Sequence, residues 1–508
     1  MFELRSNPNA SVRADLFAGL TVSLAMVPEV VAFTFVATVD PMVGLYAAFI
    51  VGLIAAIFGG RPGMVSGGAG ALAVVVTALV VQHGVEYLFA AVVLMGLMQL
   101  LFGLFRLGRF IALVPYPVML GFVNGLAIVI FLAQLQQFQT LEDGQWHWLS
   151  GTPMFMMLGL VGLAMAIIHF LPRFSRAIPA SLVAILVVTA LVHGLELQTA
   201  TVIDFVRSMS GNANATLNGT LPNFSLPMVP LNWETLSIIF PYALILAAVG
   251  LLESLLTLNL VDEITETQGQ PNRECVAQGA ANIVSGCFGG MGGCAMIGQS
   301  IINLNSGGRS RLSGATCALS ILGFILFGSH LIEMIPLAAL VGVMFMVVLG
   351  TFEWASLRMI RKVPRTDVFV IILVTVVTVL TDLALAVLVG VLMSALRFAW
   401  DQATRLTLCT ENEDNTHYRL EGVLFFASVT HFHNLFDIKA APEHTSLDLS
   451  RARLADHSAL EAIHKLSGNF QAQGKTLYLV GLTDECRARL VRAGDLVQVQ
   501  LFEQSASA

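Results

Sequence analysis

The chain has 508 residues, of which 56% are hydrophobic and only 12% are charged, and its formal net charge is −7. Since an ordinary globular chain is about 25% charged, this composition excludes a soluble globular protein and indicates a membrane protein. The negative charge comes without a basic tail or patch, which excludes nucleic acid as a partner. The six cysteines show no metal-ligand spacing, so neither a metal centre nor another cofactor is expected.

Apolar runs that could cross a bilayer, ~17–25 residues for a full span, recur along most of the chain. The first run follows a basic flank and continues past signal-peptide length without a cleavage site, so it is predicted to be a transmembrane helix. The third and tenth runs are short. The predicted segments are 14–37, 42–58, 68–82, 86–105, 115–137, 153–171, 178–193, 236–257, 275–290, 293–304, 313–329, 335–351, 367–381 and 383–400.

Positive charge gives an independent prediction of orientation. With the N-terminus inside, the loops after even-numbered segments should carry the arginines and lysines. These loops do carry them: Arg61, Arg106, Arg109, Arg173, Arg176, Arg273, Arg309, Arg311, Arg358, Arg361, Lys362 and Arg365. The loops after odd-numbered segments carry only Arg207, in the stretch 195–232. The sequence therefore predicts fourteen spans in the plasma membrane (the inner membrane of a bacterium), with both termini cytoplasmic.

The two short segments follow glycine-rich stretches. Six glycines lie between Gly286 and Gly298, and a weaker echo, SGGAGALAVVV, begins at Ser66. Irregular backbone at membrane depth is tolerated only where it lines a protein-walled cavity, and two interrupted segments in corresponding positions point to a transporter's binding site. Close helix packing is the alternative explanation of these glycines. Because each half has seven segments, the halves, about 10–194 and 233–400, are predicted to form an inverted repeat.

Two acids inside the spans are candidate functional residues, because an ionisable group at membrane depth is expensive. Glu29 follows Pro28 in the first segment, and Glu253 lies in the eighth with Thr257 one helical turn later. These segments open the two halves, so the repeat would bring both acids near the short segments. The structural alternatives are a kink that Pro28 alone explains, and a Glu253 that a neighbouring hydroxyl satisfies.

The short segments predict a site for a small anion. A helix N-terminus presents about +0.5 charge and unpaired N–H groups, and segments three and ten would direct two such ends at one point in the membrane. No lysine or arginine lies within these spans, so the helix ends themselves would attract the anion. Besides Glu29, the predicted binding residues are Phe33 as an apolar wall, the backbone N–H groups of Ala69, Gly70, Ala295 and Gly298, and the neighbouring Gln299 and Ser300.

From about residue 410 the charge density rises and the apolar runs shorten, which predicts a small α/β domain over 410–505 after a transmembrane domain over 1–400. Strands are predicted in HYRLEGVLFFAS, TSLDLS and KTLYLVGL. Helices are predicted in VTHFHNLFD, ADHSALEAIHKLSGNFQAQ and TDECRARLVRAG. The topology places this domain in the cytoplasm.

Four long stretches are distinctive: DLFAGLTVSLAMVPEVVAF, VDPMVGLYAAFIVGLIAAIFGGRPGMVSGGAGALAVVV, LVPYPVMLGFVNGLAIVIF and NRECVAQGAANIVSGCFGGMGGCAMIGQSIINLNSGGRSRLSG. They resemble the sulfate permease (SulP) anion transporters with a C-terminal STAS domain, and the resemblance covers essentially the whole chain. It implies a 7+7 inverted-repeat fold, often dimeric, in which a core domain moves against a scaffold and the anion binds between two half-helix ends. In the tail, LADHSALEAI is similar to the segment of anti-sigma antagonists whose serine is phosphorylated, and Ser458 takes that place.

This chain departs from the family pattern at several positions. Glu29 replaces the glutamine of many relatives, and Gln299 stands where animal members often carry arginine. Some bicarbonate-transporting relatives from cyanobacteria have aspartate at the position of Glu253 and keep the threonine at Thr257, in a sodium site. Ala459 replaces the glycine that usually follows the phosphorylated serine, so a serine that caps a helix is the simpler interpretation there.

The sequence therefore predicts an α-helical polytopic membrane protein that is not an enzyme but a secondary active transporter of a small inorganic oxyanion, sulfate or bicarbonate. Co-transported H⁺ or Na⁺ would bind at Glu253 and Thr257. The other expected partners are membrane lipid, a second copy in a homodimer and a soluble protein bound to the STAS domain. Two alternatives stay open: an anion channel, uniporter or exchanger, and a regulatory scaffold centred on the tail.

Overall fold

The computed structural model describes residues 11–108, 115–142, 145–174, 179–210, 216–217, 219–230, 232–359, 362–381, 383–410, 416–483, 486–487 and 500–501. The chain divides into two compact units, Met1–Val391 and Leu392–Ala508. The first unit is almost entirely helical, and the second is an α/β domain.

A helix lies at each of the fourteen predicted segments, and α8, α13 and α15 are additional short helices that the sequence did not predict. The helices are α1 Val12–Ala37, α2 Pro41–Phe58, α3 Gly70–His83, α4 Val85–Leu104, α5 Tyr116–Leu135, α6 Thr152–Phe174, α7 Ala180–Gly194, α8 Val202–Ser210, α9 Trp233–Thr265, α10 Pro271–Cys287, α11 Ile297–Asn305, α12 Arg311–Phe327, α13 Ser329–Glu333, α14 Leu337–Thr351, α15 Trp354–Met359, α16 Arg365–Leu380 and α17 Leu383–Thr404. The division between the two units falls within α17.

Six of the described helices are long and apolar enough to cross a membrane: α1, α2, α4, α5 with the turn after it, α6 and α9. Four further apolar helices are shorter, namely α3, α7, α12 and α14. The short length of α3 agrees with its prediction as an interrupted segment. The total of fourteen spans stays a prediction.

Four short strands accompany these helices: β1 Ser66–Gly67, β2 Gln139–Glu142, β3 Gln145–Trp148 and β4 Cys294–Ala295. The hairpin of β2 and β3 was not predicted. The pairing of β1 with β4 is antiparallel and joins the two halves of the chain. We call this pair the strand crossing, and α3 and α11, which follow its two strands, the half-helices.

Buried polar contacts also join the two halves at the ends of helices. Asp15, which is 2% exposed, accepts the hydroxyl of Ser310 at 2.5 Å, and Ser310 caps α12. Arg311 donates to the carbonyls of Ala56, at 3.0 Å, and Gly59, at 2.7 Å. These carbonyls belong to the end of α2, where main-chain oxygens lack helical partners and favour a cation. The first and second halves are therefore tied by charge as well as by apolar packing.

The second unit has a five-stranded sheet in the order β5-β6-β7-β8-β9, with β5 antiparallel to β6 and the other pairs parallel. Phe432, Ile463 and Phe470 are fully buried in its core. Strand β5 was not predicted, and the helix predicted over 483–494 lies outside the described residues except for 483, 486 and 487. The elements are β5 Thr407–Thr410, β6 His417–Leu424, α18 Val429–Asn434, β7 His444–Leu454, α19 His457–Gln471, β8 Thr476–Val480 and β9 Gln500–Leu501.

Candidate functional site

The strand crossing brings the starts of the two half-helices together. Ser66 pairs with Ala295, and Gly67 pairs with Cys294. α3 then begins at Gly70, and α11 begins at Ile297. Because the strands are antiparallel, the half-helices lead away from the crossing in opposite directions, and both N-termini lie beside it.

Unpaired N–H groups at the two helix starts are the candidate anion donors. In α11 the N–H of Ser300 is bonded to the carbonyl of Met296 at 3.0 Å, so the N–H groups of the preceding helical residues, 297–299, have no helical acceptor. In α3 the carbonyl of Ala69 accepts the N–H groups of Leu72 and Ala73. The N–H groups of Gly70 and Ala71 therefore have no acceptor within the helix. Each end therefore offers two or three donors to a ligand.

Ala295 lies at the crossing, but its N–H is already bonded to a side chain. It donates to Oγ of Ser254 at 3.0 Å. The next N–H, that of Met296, donates to the carbonyl of Val65 at 2.9 Å. The predicted stretch Ala295–Gly298 therefore begins to offer free donors only at residue 297.

Gly298 faces open space at the start of α11. A Cβ built there meets no heavy atom within 4 Å. Gly70 at the other end is different, since a Cβ there would lie 2.6 Å from Cε1 of Phe33. Phe33 is 3% exposed, and its ring covers the start of α3. The two helix starts are therefore bordered by an apolar wall on one side and an opening on the other.

Glu29 reaches across the crossing from α1. Its Oε2 accepts a hydrogen bond from Nε2 of Gln299 in the first turn of α11. The Oε1 atom of Gln299 is buried and has no hydrogen-bond partner in the described part of the chain. Ser300 is fully buried, and its Oγ accepts the N–H of Val65 at 3.0 Å. Ser300 thus joins the two halves of the chain.

Glu253 lies on α9, and its Oε2 accepts the thiol of Cys294 at 3.0 Å. Thr257 donates its hydroxyl to the carbonyl of Glu253 at 2.7 Å and lies 3.4 Å from the carbonyl of Ala295. Cys294 and Ser254 were not predicted as site residues. Their partners lie 41 positions away in the sequence, and no local pattern of residues indicates such contacts.

The site combines positive helix ends with two carboxylates. Glu29 and Glu253 are both half-buried. Neither carboxylate forms an ion pair within the described residues. A group of three or more histidine, cysteine, aspartate or glutamate side chains that could hold a metal is likewise missing from that part of the chain. An anion at the helix ends would therefore meet uncompensated negative charge whenever either carboxyl is ionised.

Ser458 lies apart from this site, in the second unit. It is half-buried at the second position of α19. The interpretation of Ser458 as the helix cap was wrong, because Oδ1 of Asp456 accepts the N–H of Ala459 at 3.0 Å. The other carboxylate oxygen of Asp456 accepts the N–H of Phe426 at 2.8 Å.

Comparison with known proteins gives the family. Residues 12–375 match the sulfate permease family, and residues 408–508 match the STAS domain. A Bacillus subtilis protein named "Putative sulfate transporter YbaR" is 44% identical over 95% of this chain and 97% of its own length. The transmembrane domain of a cyanobacterium bicarbonate transporter, BicA, superposes with a TM-score of 0.61 at 30% identity, over 74% of this chain and 97% of that one. SLC26A9 superposes with a TM-score of 0.78 at 16% identity, over 95% and 86%, which shows a shared fold.

Proposed function

The chain belongs to the sulfate permease family, and from this premise we propose that it is a proton-coupled secondary active transporter of a small oxyanion, sulfate or bicarbonate. The observation that carries the proposal is the pair of half-helix N-termini beside the strand crossing, flanked by Glu29 and Glu253. The names of the relatives, a sulfate transporter and a bicarbonate transporter, supply the two substrate candidates.

The helix ends account for anion binding without a basic side chain. Each end contributes roughly half a positive charge and several N–H donors. The donors we propose are the backbone N–H groups of Gly70 and Gly298, with Gln299 adding its amide. Phe33 excludes water from one side, and Glu29 orients Gln299 through their hydrogen bond. Ala69 adds its N–H to that of Gly70, while Ala295 and Ser300, whose polar groups are already bonded, hold the backbone around the donors.

Coupling follows from the charge of Glu253. An ionised carboxylate at ~4 Å from an anion is repelled by about 4 kcal/mol at an effective dielectric constant of ~20. Two half-charges at the helix ends offset only part of this repulsion. Glu253 must therefore be neutralised when the anion loads, and either a proton or a sodium ion at Glu253 and Thr257 could do this.

Cys294 favours the proton. Sodium is a hard cation and prefers several oxygen ligands, whereas a thiol is a soft ligand. One oxygen of the Glu253 carboxylate already accepts the thiol of Cys294, and the hydroxyl of Thr257 donates to the main chain. Protonation of Glu253 requires neither contact to change.

Uptake into proteoliposomes tests the function. Labelled sulfate and bicarbonate are offered under an imposed proton gradient, an imposed sodium gradient or neither, to the wild type, to Glu253→Gln and to the control Glu263→Gln. Glu263 is exposed on the same helix. We expect proton-driven accumulation by the wild type and the control, while Glu253→Gln, a permanently neutral side chain, still binds anion without concentrating it. Substrate current in the absence of any cation gradient would instead favour a channel, and accumulation by Glu253→Gln equal to the wild type would remove Glu253 from the coupling.

We propose the same architecture, assembly and location that the sequence predicts. The transport domain covers 1–400 and acts by alternating access of two inverted repeats as a homodimer in the bacterial inner membrane. The STAS domain over 410–505 is cytoplasmic and binds a soluble partner, and Ser458 is its candidate regulatory residue.

A further inference from the structure

A line of buried polar side chains runs along α10. Glu274, Gln278 and Asn282 follow one another at four-residue spacing, so they share one face of the helix. Their exposed fractions are 2%, 0% and 0%. Polar groups buried at this depth are costly unless their hydrogen bonds are made. The hydrogen-bond partners of these three side chains are therefore important to the structure.

Asn282 holds the residue that leads into β4. Its Oδ1 accepts the N–H of Gly293 at 2.8 Å, and its Nδ2 donates to the carbonyl of the same residue at 3.0 Å. Nδ2 also donates to Oε1 of Gln99, at 2.9 Å, on α4. One side chain thus fixes both main-chain groups of Gly293 relative to α10.

Gln278 holds the other strand of the crossing. Its Nε2 donates to Oγ of Ser66 at 2.8 Å and to Oε1 of Glu274 at 2.8 Å. Oε2 of Glu274 accepts the N–H of Gly60 at 2.7 Å. A single helix therefore anchors β1 through Gln278 and the entry to β4 through Asn282.

The two anchored backbones touch each other. A Cβ added to Gly293 would lie 2.3 Å from the carbonyl oxygen of Gly67, so only glycine permits this approach. Gly70, the first residue of α3, is three residues beyond Gly67, and Ile297, the first of α11, is four beyond Gly293. With such short connections, the way the strands sit on α10 fixes the gap between the half-helix N-termini.

We propose that Gln278 and Asn282 are positioning residues that set the gap between the two half-helix N-termini and thereby the size of the anion that bridges them. The inference rests on the proposed function in placing the anion between those ends. An anion bound by both ends must match the gap. Loosening either anchor therefore changes the affinity for small and large anions unequally, although neither side chain touches the anion.

Anion binding to the purified full-length protein tests this role. Thermal stabilisation by chloride, nitrate, bicarbonate and sulfate gives a dissociation constant for each anion in the wild type and in Asn282→Ala. The matched control is Asn124→Ala on α5. Asn124 is 3% exposed, accepts the N–H of Glu353 at 2.9 Å and donates to Ser356 at 2.8 Å, but it lies outside the crossing.

We expect both alanine variants to lower the melting temperature, because each loses buried hydrogen bonds. Only Asn282→Ala should also change the ratio of the sulfate and bicarbonate dissociation constants, by roughly tenfold, which corresponds to about one hydrogen bond made or lost by one anion and not the other. An equal ratio in Asn282→Ala and Asn124→Ala overturns the inference.

A second variant covers a failure of Asn282→Ala to fold. Gln278→Ala removes the anchor of β1 without placing a charge in the core. It should shift the same ratio, and an unchanged ratio in a folded Gln278→Ala overturns the inference. If the wild type binds none of the four anions, the inference is also overturned. Anion binding without proton-driven uptake contradicts the proposed function alone.

Discussion

Replacement of Gly298 by alanine separates anion binding from folding more cleanly than any other single change in the site. The added Cβ meets no heavy atom within 4 Å, so nothing has to shift. Alanine is better than glycine in a helix by up to ~1 kcal/mol, and the folded protein should therefore be at least as stable as the wild type. The methyl group nevertheless occupies the space in front of the N–H donors of α11.

The expected loss follows from the contacts that the methyl group blocks. A hydrogen bond to a charged group contributes about 1.5–3 kcal/mol, so the loss of one such bond weakens anion binding between roughly 10-fold and 150-fold. Gly298→Leu, which fills more of the opening, should abolish uptake. Gly70→Leu should also abolish it but is less informative, because its Cβ would press on Phe33 and disturb packing.

The assay pairs anion titration with a melting temperature for each variant. Gly159→Ala in α6 is the matched control, since a Cβ there also meets no heavy atom within 4 Å. We expect Gly159→Ala to bind anion like the wild type. Binding by Gly298→Ala within about threefold of the wild type would place the anion away from α11, and a fall in its melting temperature would refute the premise of an unhindered site.

Two further predictions concern orientation and the second unit. The cysteine of Leu221→Cys, at a position that is 56% exposed, should react with an impermeant maleimide in intact cells. The cysteine of Phe426→Cys, also at an exposed position, should react only after lysis. The reverse result would invert the predicted topology. Asp456→Ala should remove the cap of α19 and cost about 1 kcal/mol, seen as roughly fivefold faster amide exchange in that helix. Ser458→Ala should leave the exchange unchanged, and equal effects would return the capping role to Ser458.

The helices could be predicted from the sequence because long apolar runs are local signals. The glycines also placed the half-helices, but α11 begins at Ile297 and not at residue 293. Gly293, Cys294 and Ala295 are held instead by Asn282 and by β1. A short stretch of sequence does not reveal a strand whose partner lies in the other half of the chain.

The same limit explains which site residues were found and which were missed. Glu29 and Glu253 were visible because acids are rare in apolar runs. Cys294 is an ordinary small residue until the fold brings it against Glu253. Asp456 is the exception, since this capping residue lies two positions before Ser458 in the sequence and aspartate is as common a helix cap as serine.

The strand crossing also has a consequence for the synthesis of the protein. Ser66 pairs with Ala295, 229 positions later in the chain, and ribosomes add about 5–20 residues per second. The first strand therefore emerges about 11–46 s before its partner exists. Through this interval the N–H of Gly60 also lacks its hydrogen-bond acceptor on Glu274, and Asp15 at the start of α1 lacks the hydroxyl of Ser310. The first half cannot complete its own polar contacts, and the site forms only when the second half has been made and inserted beside it.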